Sequence, residues 1–322
     1  MAEFRLGVVL STATEAPPKE FVELGKRAED RGFSALLVNE GRGDALACAE
    51  AIALATSRIQ VGTNIANIYF RHPFLAAMTA WTIAELSDGR LVLGLGVSHR
   101  PLIESLGMKM DQPRAYMRSY VQTLKKALAG ESVGAFFRPR ASQHSVPVYV
   151  ASVTAETAAV GGEEADGIMP FLPARTYLTT LLEAAKAAAR RVGKDPEQLD
   201  CIVSIPTFIS EDLEQARSAA RYNLAFFAQL PFYRLQWRRC GFVDEVNALQ
   251  QAWQSRDRKA AAALVSDRMV EQVCVYGPPS MCREQLAAFH EAGAGMPVLA
   301  VSPVNEDRLV ATRKALDVLA PK

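Results

Sequence analysis

The feature that most constrains the fold of this chain is a repeated alternation between short apolar runs and longer segments with helical spacing. Eight of the apolar runs predict strands, and they are interpreted as apolar runs rather than as a regular alternation of apolar and polar residues. Continuous runs are typical of parallel strands that are covered on both faces. The predicted strands lie at or within Arg5–Leu10, Ala35–Val38, Ile59–Ile68, Leu91–Gly96, Val146–Val150, Gly167–Phe171, Ile202–Ile209 and Val298–Val301.

The predicted helices that follow these strands carry ordinary start and stop signals. Asp44 is placed to cap the second helix, and Ser87-Asp88-Gly89 closes the third. The apolar face of the third helix is predicted to consist of Phe74, Met78, Trp81, Thr82 and Leu86. Eight strands with helical followers predict an α/β fold, a closed (β/α)8 TIM barrel. An open doubly wound sheet is the rival interpretation, but it would usually hold about five or six strands at this length.

We predict a single domain over residues 1–322, with a helical insertion at about 211–295 before the last strand. That stretch is too long for one crossover, so it is expected to hold two or three helices beyond the basic barrel. Its aromatic residues are interpreted as packing rather than as a platform for a ligand. These aromatic residues are Phe226, Phe227, Phe232, Tyr233 and Trp237.

Charge and cysteine usage exclude several classes of protein. The 36 basic and 35 acidic residues give a net charge of +1, so no strong field attracts nucleic acid or an acidic membrane surface. No stretch approaches the roughly 20 apolar residues that span a bilayer, and the first residues lack the pattern of a signal peptide. Five cysteines without a Cys-x-x-Cys pair indicate reduced thiols. We therefore expect a cytoplasmic protein that acts on a small molecule.

Familiar catalytic motifs are missing or incomplete. The sequence contains neither the glycine-rich loop of nucleotide hydrolases nor His-Glu-x-x-His, and its four histidines are far apart, so no metal site is expected. Gly94-Leu-Gly96-Val-Ser98-His99 lacks the third glycine of a dinucleotide fingerprint and follows the fourth strand. Gly96 to Arg100 lacks the last glycine of a nucleophile elbow. A Rossmann dehydrogenase and a serine hydrolase are therefore disfavoured.

Polar residues cluster where the predicted strands end, which is where the loops of a βα barrel converge over the site of chemistry. They are Ser11-Thr12, Asn39-Glu40, Asn64 to Tyr69, Ser98-His99-Arg100, Ser152-Val153-Thr154 and Pro170-Phe171. This rim has few acids, which suits a planar organic cofactor held by amides and backbone groups. His99 follows a buried strand directly, and an imidazole with a pKa near about 6.5 can exchange a proton at neutral pH.

For the other candidate site residues, a structural role is the alternative to a role in the site. Glu40 either serves the site or caps the next helix, and His72 either serves the site or begins the third helix. His144 and His290 are expected on the surface.

Three segments occur together in a recognisable order. They are Asn67-Ile-Tyr-Phe-Arg-His-Pro73, then Ala84 to Gly96 (AELSDGRLVLGLG), then Gly161-Gly-Glu-Glu-Ala-Asp-Gly167. Together they resemble the bacterial-luciferase-like superfamily, especially its branch similar to methylenetetrahydromethanopterin reductase. Gly107 to Gly130 also resembles that branch, and order and spacing agree from about Arg5 to Ser210.

The resemblance implies an enzyme with a (β/α)8 barrel, usually dimeric, whose cofactor ring lies at the C-terminal ends of the strands. It implies a non-prolyl cis peptide at Asn64–Ile65, where a bulge backs the central ring, and a hydrogen bond from Asn67 to the pyrimidine edge. Gly96 and Ser98 belong to the same expected cofactor site.

The resemblance also places the cofactor phosphate. It lies near Ser152, Val153 and Thr154, and near Ala165, Asp166 and Gly167. The first group precedes a helix, so backbone N–H groups are available for an anion. Arg71 either helps to bind this phosphate or has a structural role.

One departure from the resemblance concerns the proton donor. Relatives commonly carry an acid followed by histidine after the second strand, and this chain has Glu40-Gly41. His99 from the fourth strand, or Glu40 alone, is then expected to take that role. We therefore treat both residues as catalytic candidates.

The leading hypothesis is hydride transfer between 8-hydroxy-5-deazaflavin (coenzyme F-420) and a small organic substrate. The first alternative is a monooxygenase that uses reduced FMN supplied by a separate reductase. The second, motivated by the missing histidine, is a non-catalytic flavin-binding barrel. Substrate specificity is expected to come from the segment around Leu230 to Met269, where the resemblance is weakest.

Overall fold

The computed structural model describes residues 4–135, 139–254 and 258–321. It contains nine strands in these ranges. The strands are β1 (Gly7–Ser11), β2 (Ala35–Asn39), β3 (Gln60–Asn67), β4 (Leu91–Gly96), β5 (Val148–Ala151), β6 (Gly167–Met169), β7 (Asp200–Ile209), β8 (Val275–Gly277) and β9 (Met296–Val301).

The helices cover the outside of the sheet and the segment between β7 and β9. They are α1 (Pro18–Asp30), α2 (Ala45–Ala55), α3 (Pro73–Leu86), α4 (Arg100–Ser105), α5 (Pro113–Leu128), α6 (Ala155–Glu164), α7 (Leu178–Arg191), α8 (Leu213–Phe227), α9 (Pro231–Arg239), α10 (Val243–Gln254), α11 (Arg258–Ala263), α12 (Asp267–Val273), α13 (Pro279–Glu291) and α14 (Arg308–Val318). Short 3-10 turns precede α7 and β7. No helix in the described ranges is long and apolar enough to cross a membrane.

Eight of the strands close into a parallel barrel. The order runs from β6 through β5, β4, β3, β2 and β1 to β9 and β7, and the pairing of β6 with β7 closes the ring. Neighbouring strands pair in parallel throughout, as in Val8 with Leu36 and Leu36 with Val61. The predicted (β/α)8 TIM barrel is therefore confirmed.

The segment before the last strand differs in detail from the prediction. In its described residues it contains six helices, α8 to α13, of which one counts as the crossover of the basic barrel, so five lie beyond the basic barrel rather than the predicted two or three. It also contains β8, a strand of three residues that pairs with the end of β7 outside the closed ring. A run this short carries no periodicity of its own, so its pairing is set by the neighbouring strand. The last strand is Met296–Val301, which includes the predicted run.

Two layers of apolar side chains hold the barrel together. The inner layer fills the ring and consists of Ala35, Leu37, Val92, Tyr149, Met169, Ile202, Met296 and Val298. The outer layer lies between the strands and the helices and is much larger. Close contact between β3 and β4 requires a residue without a side chain, because a Cβ at Gly62 would lie 1.8 Å from the carbonyl oxygen of Val92. Because the side chains of the inner layer fill the ring, the interior of the barrel is a packed core rather than a channel.

The third helix starts and ends where predicted, but its buried face was predicted wrongly. The side chains that face the barrel are mostly alanines, with one isoleucine, namely Ala76, Ala77, Ala80, Ile83 and Ala84. Met78 and Leu86 are 40% and 48% exposed on the opposite side. The helix is apolar nearly all round, so spacing alone does not decide which face packs on the sheet. Asp44 caps α2 as predicted, accepting hydrogen bonds from the N–H groups of Leu46 and Ala47.

Candidate active site

The end of β3 has an irregular backbone. The peptide bond Asn64–Ile65 is cis, as the resemblance implied, and the pairing with β4 shifts register between Thr63 and Ala66. The Ile65 side chain lies over Gly96 at the end of β4, where an added Cβ would come within 2.6 Å of Ile65 Cδ1. Gly96 therefore leaves the space that the Ile65 side chain occupies.

Asn64 points across the barrel. Its side-chain Nδ2 donates to Ser204 Oγ on β7 at 2.8 Å, and both residues are buried. This hydrogen bond joins two strands that are not neighbours in the ring. We call the opening at the C-terminal ends of the strands the barrel mouth. This hydrogen bond fixes the floor of that opening.

Asn67 offers an unused hydrogen-bond donor. Its residue is 3% exposed, and its Oδ1 accepts from the backbone N–H of Tyr69 at 3.0 Å. Its Nδ2 is buried and has no hydrogen-bond partner in the structure. Buried polar groups are nearly always paired, so this amide has a donor to offer to an acceptor that none of the described residues provides.

Glu40 holds the segment that carries Asn67. Its Oε2 accepts from the Asn67 backbone N–H at 2.6 Å, and its Oε1 accepts from Arg71 Nη2 at 2.6 Å. The side chains of Glu40 and Arg71 are only 3% and 10% exposed, and Arg71 also reaches Asp44 at 3.0 Å. Both carboxylate oxygens are thus occupied. The geometry favours Glu40 as a positioning residue over the catalytic role expected for it. We call Glu40 together with Arg71, which holds its carboxylate, the clamp on Asn67.

The loop after β2 packs against the residues that directly follow β1. Thr12 Oγ1 accepts from the N–H groups of Gly41 and Gly43 at 2.7 and 3.2 Å. A Cβ at Gly41 would lie 2.9 Å from the backbone nitrogen of Ala13. In this loop conformation a side chain at position 41 would collide with Ala13, so the glycine at the departure from the resemblance fits the way the loop packs.

His99 lies at the end of β4 with its ring against α9. It stacks on Phe232 with a centroid separation of 5.1 Å and an interplanar angle of 12°. Its Nδ1 is buried without a partner, and burial lowers the pKa of the imidazole. Ser98 before it adopts a left-handed φ of 58°, a conformation that non-glycine residues rarely adopt and that clusters at functional sites.

The first group of predicted phosphate ligands lies at the barrel mouth, but its side chains are largely committed. Ser152 is fully buried, and its hydroxyl donates to the carbonyl of Val150 at 3.0 Å. Thr154 caps α6, and Val153 lies between the two. The first turn of α6 carries Glu156, whose carboxylate pairs with Arg239 at 2.5 Å.

That ion pair changes the electrostatics of the α6 terminus. Hydrogen bonds from the Arg239 guanidinium and from Thr154 bring the pKa of Glu156 to about 2. A negative charge therefore occupies the turn in which an anion was expected, and Arg239 is the positive group beside it.

The second group of predicted phosphate ligands is corrected by the structure. Ala165, Asp166 and Gly167 lie at the far end of α6 from Thr154, where β6 begins rather than ends. Asp166 is bonded there by Lys125 Nζ at 2.8 Å and by the Val148 N–H at 2.9 Å. A cofactor at the barrel mouth cannot reach this opposite end of the barrel, so these three residues leave the candidate site.

Two of the remaining histidines, His72 and His290, have structural partners. His72 begins α3 and its Nδ1 accepts from the Phe74 N–H at 3.2 Å, which agrees with the capping interpretation. His144 and His290 were expected on the surface, but both are half-buried. The ring of His290 stacks on Phe4 at 5.0 Å.

The sequence interpretation missed how α9 closes over the mouth. Trp237 Nε1 donates to the carbonyl of Leu172 at 3.1 Å, and Gln236 Nε2 donates to that of Phe171 at 3.3 Å, so α9 is bonded to the end of β6. Phe232, Tyr233, Gln236 and Trp237 share one face of this helix, and that spacing was the available signal. Among the described residues, five buried polar atoms without hydrogen-bond partners belong to side chains at the barrel mouth. They are Asn67 Nδ2, Tyr69 Oη, Arg71 Nη1, His99 Nδ1 and Gln236 Oε1.

A closed βα barrel with buried unpaired polar atoms at its C-terminal end has the architecture of the enzyme barrels whose sites lie at that end. The model of the luciferase-like monooxygenase family matches residues 2–295, and the chain belongs to this family. The expectation of an enzyme is thereby confirmed.

Known proteins of similar sequence and fold include reductases and a monooxygenase. The 5,10-methylenetetrahydromethanopterin reductase of Archaeoglobus fulgidus is 26% identical over 91% of this chain and 93% of its own. The coenzyme F-420-dependent tetrahydromethanopterin reductase of Methanopyrus kandleri superposes with a TM-score of 0.80 at 21% identity, covering 99% of both chains. A type II Baeyer-Villiger monooxygenase from Pseudomonas putida, solved with FMN, gives 0.68 at 15% identity, covering 99% of this chain and 97% of its own. These solved structures support the fold.

Proposed function

We propose that this protein is an oxidoreductase that transfers hydride between coenzyme F-420 and a small organic substrate. The observation that carries the proposal is the buried, unpaired Nδ2 of Asn67 at the end of the irregular strand β3. The similarity to methylenetetrahydromethanopterin reductase along nearly the whole chain supports the deazaflavin over FMN.

The residues present fit a deazaflavin ring. The pyrimidine edge of such a ring carries carbonyl oxygens, and Asn67 Nδ2 is a donor that lacks an acceptor. Ile65 over Gly96 supplies an apolar surface next to that donor. Planar cofactors bind in this way, with apolar contact over the face and a few polar groups at the edge.

The bound coenzyme would supply the hydride chemistry, and the chain supplies orientation and proton handling. Glu40 and Arg71 fix the backbone of Asn67, and Asn64 fixes the floor beneath it. His99 Nδ1 is the atom at which a proton is held or released beside the substrate. Arg239, which is paired with Glu156, is the cationic side chain at the α6 terminus, and a phosphate there would compete with that carboxylate for it.

Binding of each cofactor under anaerobic conditions tests the proposal. We expect oxidised coenzyme F-420 to bind more tightly than FMN, as followed by the change in its visible absorbance. Asn67→Leu should weaken this binding about tenfold, because a hydrogen bond to a buried carbonyl is lost. Asn247→Leu, at an exposed position of α10, is the matched control and should bind as the wild type does.

The same titration separates the alternative. Tight binding of FMN without binding of coenzyme F-420, together with oxygen consumption by the reduced FMN complex, would instead support the monooxygenase with its partner reductase. The FMN complex of a protein with the same fold is the observation that favours this alternative. Failure of both cofactors to bind would contradict both proposals.

We also propose that the protein is a homodimer. The outward side of α3 presents Leu75, Met78 and Leu86, which are 49%, 40% and 48% exposed. Apolar side chains aligned on one helix face are typical of a surface that another chain covers.

A further inference from the structure

The face of α9 that lies over the barrel mouth is rigidly placed. Trp237 and Gln236 each donate to a carbonyl just beyond β6, at Leu172 and Phe171 respectively. Leu172 is fully buried and has a left-handed φ of 57°. The inner face of α9 is therefore held against the end of β6 on one side, and its Phe232 touches His99 at the end of β4 on the other.

This face carries a continuous aromatic surface, which we call the aromatic wall and define as Phe171, Phe227, Phe232 and Tyr233. Phe227 and Tyr233 meet edge to face with centroids 5.2 Å apart, and Phe171 meets Tyr233 at 5.9 Å. Phe232 continues the wall to the imidazole of His99 by stacking. Aromatic surfaces of this kind favour planar apolar ligands.

One polar atom interrupts the wall without a partner. Gln236 is fully buried, and its Nε2 is used by the carbonyl of Phe171. Its Oε1 is buried and accepts no hydrogen bond. Gln236 lies one helical turn from Phe232, so its side chain shares the face that reaches His99. None of the described residues donates to this buried amide oxygen, and buried polar groups are nearly always paired, so a donor from a ligand is the partner that it lacks.

We propose that the substrate of this protein is a neutral, planar, largely apolar ring that bears an N–H or O–H group, which Gln236 Oε1 accepts beside His99. The inference rests on the proposed function and adds the chemical class of its substrate. Neither the aromatic wall nor Gln236 carries a formal charge, so nothing in this surface selects an ionic ligand. Gln236 is then the residue that discriminates the donor-bearing ring from its analogue without a donor.

Two probes that differ only in the donor test this proposal on the full-length protein. Indole carries a ring N–H, and benzofuran has the same shape with an oxygen in its place. We expect the wild type to bind indole about tenfold more tightly than benzofuran by calorimetry or ligand-observed NMR. Gln236→Met should bring the two affinities together, and Gln236→Glu, which keeps an acceptor, should retain the preference. Gln251→Met, the same change at an exposed position of α10, should behave as the wild type.

Equal binding of both probes to the wild type, or no saturable binding of either, would overturn the proposal without any variant being needed. A preference that survives in Gln236→Met would overturn it as well. Binding of coenzyme F-420 to the same samples reports on the proposed function separately. Coenzyme binding with no preference for indole would reject only the substrate class, and preference without coenzyme binding would reject only the redox function.

Discussion

At the scale of single residues, the buried ion pair at the end of β2 has the clearest energetic consequence. Glu40→Gln removes the buried charge that faces Arg71 and leaves the arginine only the half-exposed Asp44, and breaking a buried ion pair typically costs about 3 kcal/mol. We expect Glu40→Gln to lower the free energy of unfolding by about that amount in urea denaturation. Coenzyme binding should weaken in parallel, because the backbone of Asn67 is released.

Asp44→Asn is the matched control for Glu40→Gln. Asp44 is 54% exposed on its side chain and pairs with the same arginine, and asparagine caps a helix as well as aspartate does. A loss of stability as large in Asp44→Asn as in Glu40→Gln would contradict the role given to burial.

The pH dependence of stability tests the environment of His99. Because burial lowers the pKa of His99 in the folded state, the unfolded chain binds this proton first as the pH falls. Stability should therefore decrease as the pH drops through about 6.5, the ordinary pKa of histidine, towards the lowered value. His99→Phe keeps the stack on Phe232 and cannot titrate, so it should lose less stability over this range in urea denaturation. An identical pH profile in the two proteins would show that His99 is accessible to water when folded.

At the scale of secondary-structure elements, Glu29 joins the end of α1 to the start of β3. Its carboxylate accepts from the N–H groups of Arg58 at 2.6 Å and of Ser57 and Ile59 at 2.9 Å. Partial burial raises the pKa of Glu29, but the three N–H groups outweigh it and bring the pKa to about 2. The stability it contributes is complete above about pH 4.5 and is lost as the pH falls towards 2.

Glu29→Gln should therefore be destabilised by about 2 kcal/mol at neutral pH and should differ little from the wild type at low pH. Chemical denaturation at both pH values measures this. Glu23→Gln, on an exposed position of the same helix, is the control and should match the wild type at both. A constant difference between Glu29→Gln and the wild type at all pH values would contradict the assignment.

The contact between α6 and α7 depends on one glycine. A Cβ at Gly162 would lie 2.0 Å from the carbonyl oxygen of Ala185, so the two helices must separate to accept alanine. Alanine normally stabilises a helix interior relative to glycine by about 1 kcal/mol. We nevertheless expect Gly162→Ala to lower the thermal midpoint and to cost at least about 2 kcal/mol, because overpacking outweighs propensity. Ala159→Gly on the same helix should cost only about 1 kcal/mol.

At the scale of the whole molecule, the proposed homodimer depends on the exposed apolar side of α3. Met78→Glu places a charge in the middle of the exposed apolar face, which should convert a dimer into a monomer in sedimentation equilibrium. Leu235→Glu on α9, where the leucine is 43% exposed, is the control and should leave the dimer intact. A wild-type protein that sediments as a monomer at high concentration would contradict the proposal.

The barrel itself was predictable because each of its strands can be recognised from its own short stretch of sequence. A buried parallel strand needs only a continuous apolar run, and runs such as Leu91–Gly96 appear in the structure at the predicted positions. The ends of these runs located Asn67 and His99 at the barrel mouth. β8 was missed since three residues carry no pattern, and the buried face of α3 was misjudged since the helix is apolar on more than one side.

What the sequence determined by itself was therefore the order of strands and helices, and hence which residues follow strand ends. Only the tertiary structure decided how those residues are used. Glu40 became a clamp because Asn67 and Arg71, 27 and 31 positions away, supply its hydrogen bonds. Gln236 reached the mouth because α9 folds back onto Phe171, 65 positions earlier and just beyond β6. Local patterns depend on neighbouring residues, whereas the partners of a buried polar group are set by the packing of distant segments, which no local pattern encodes.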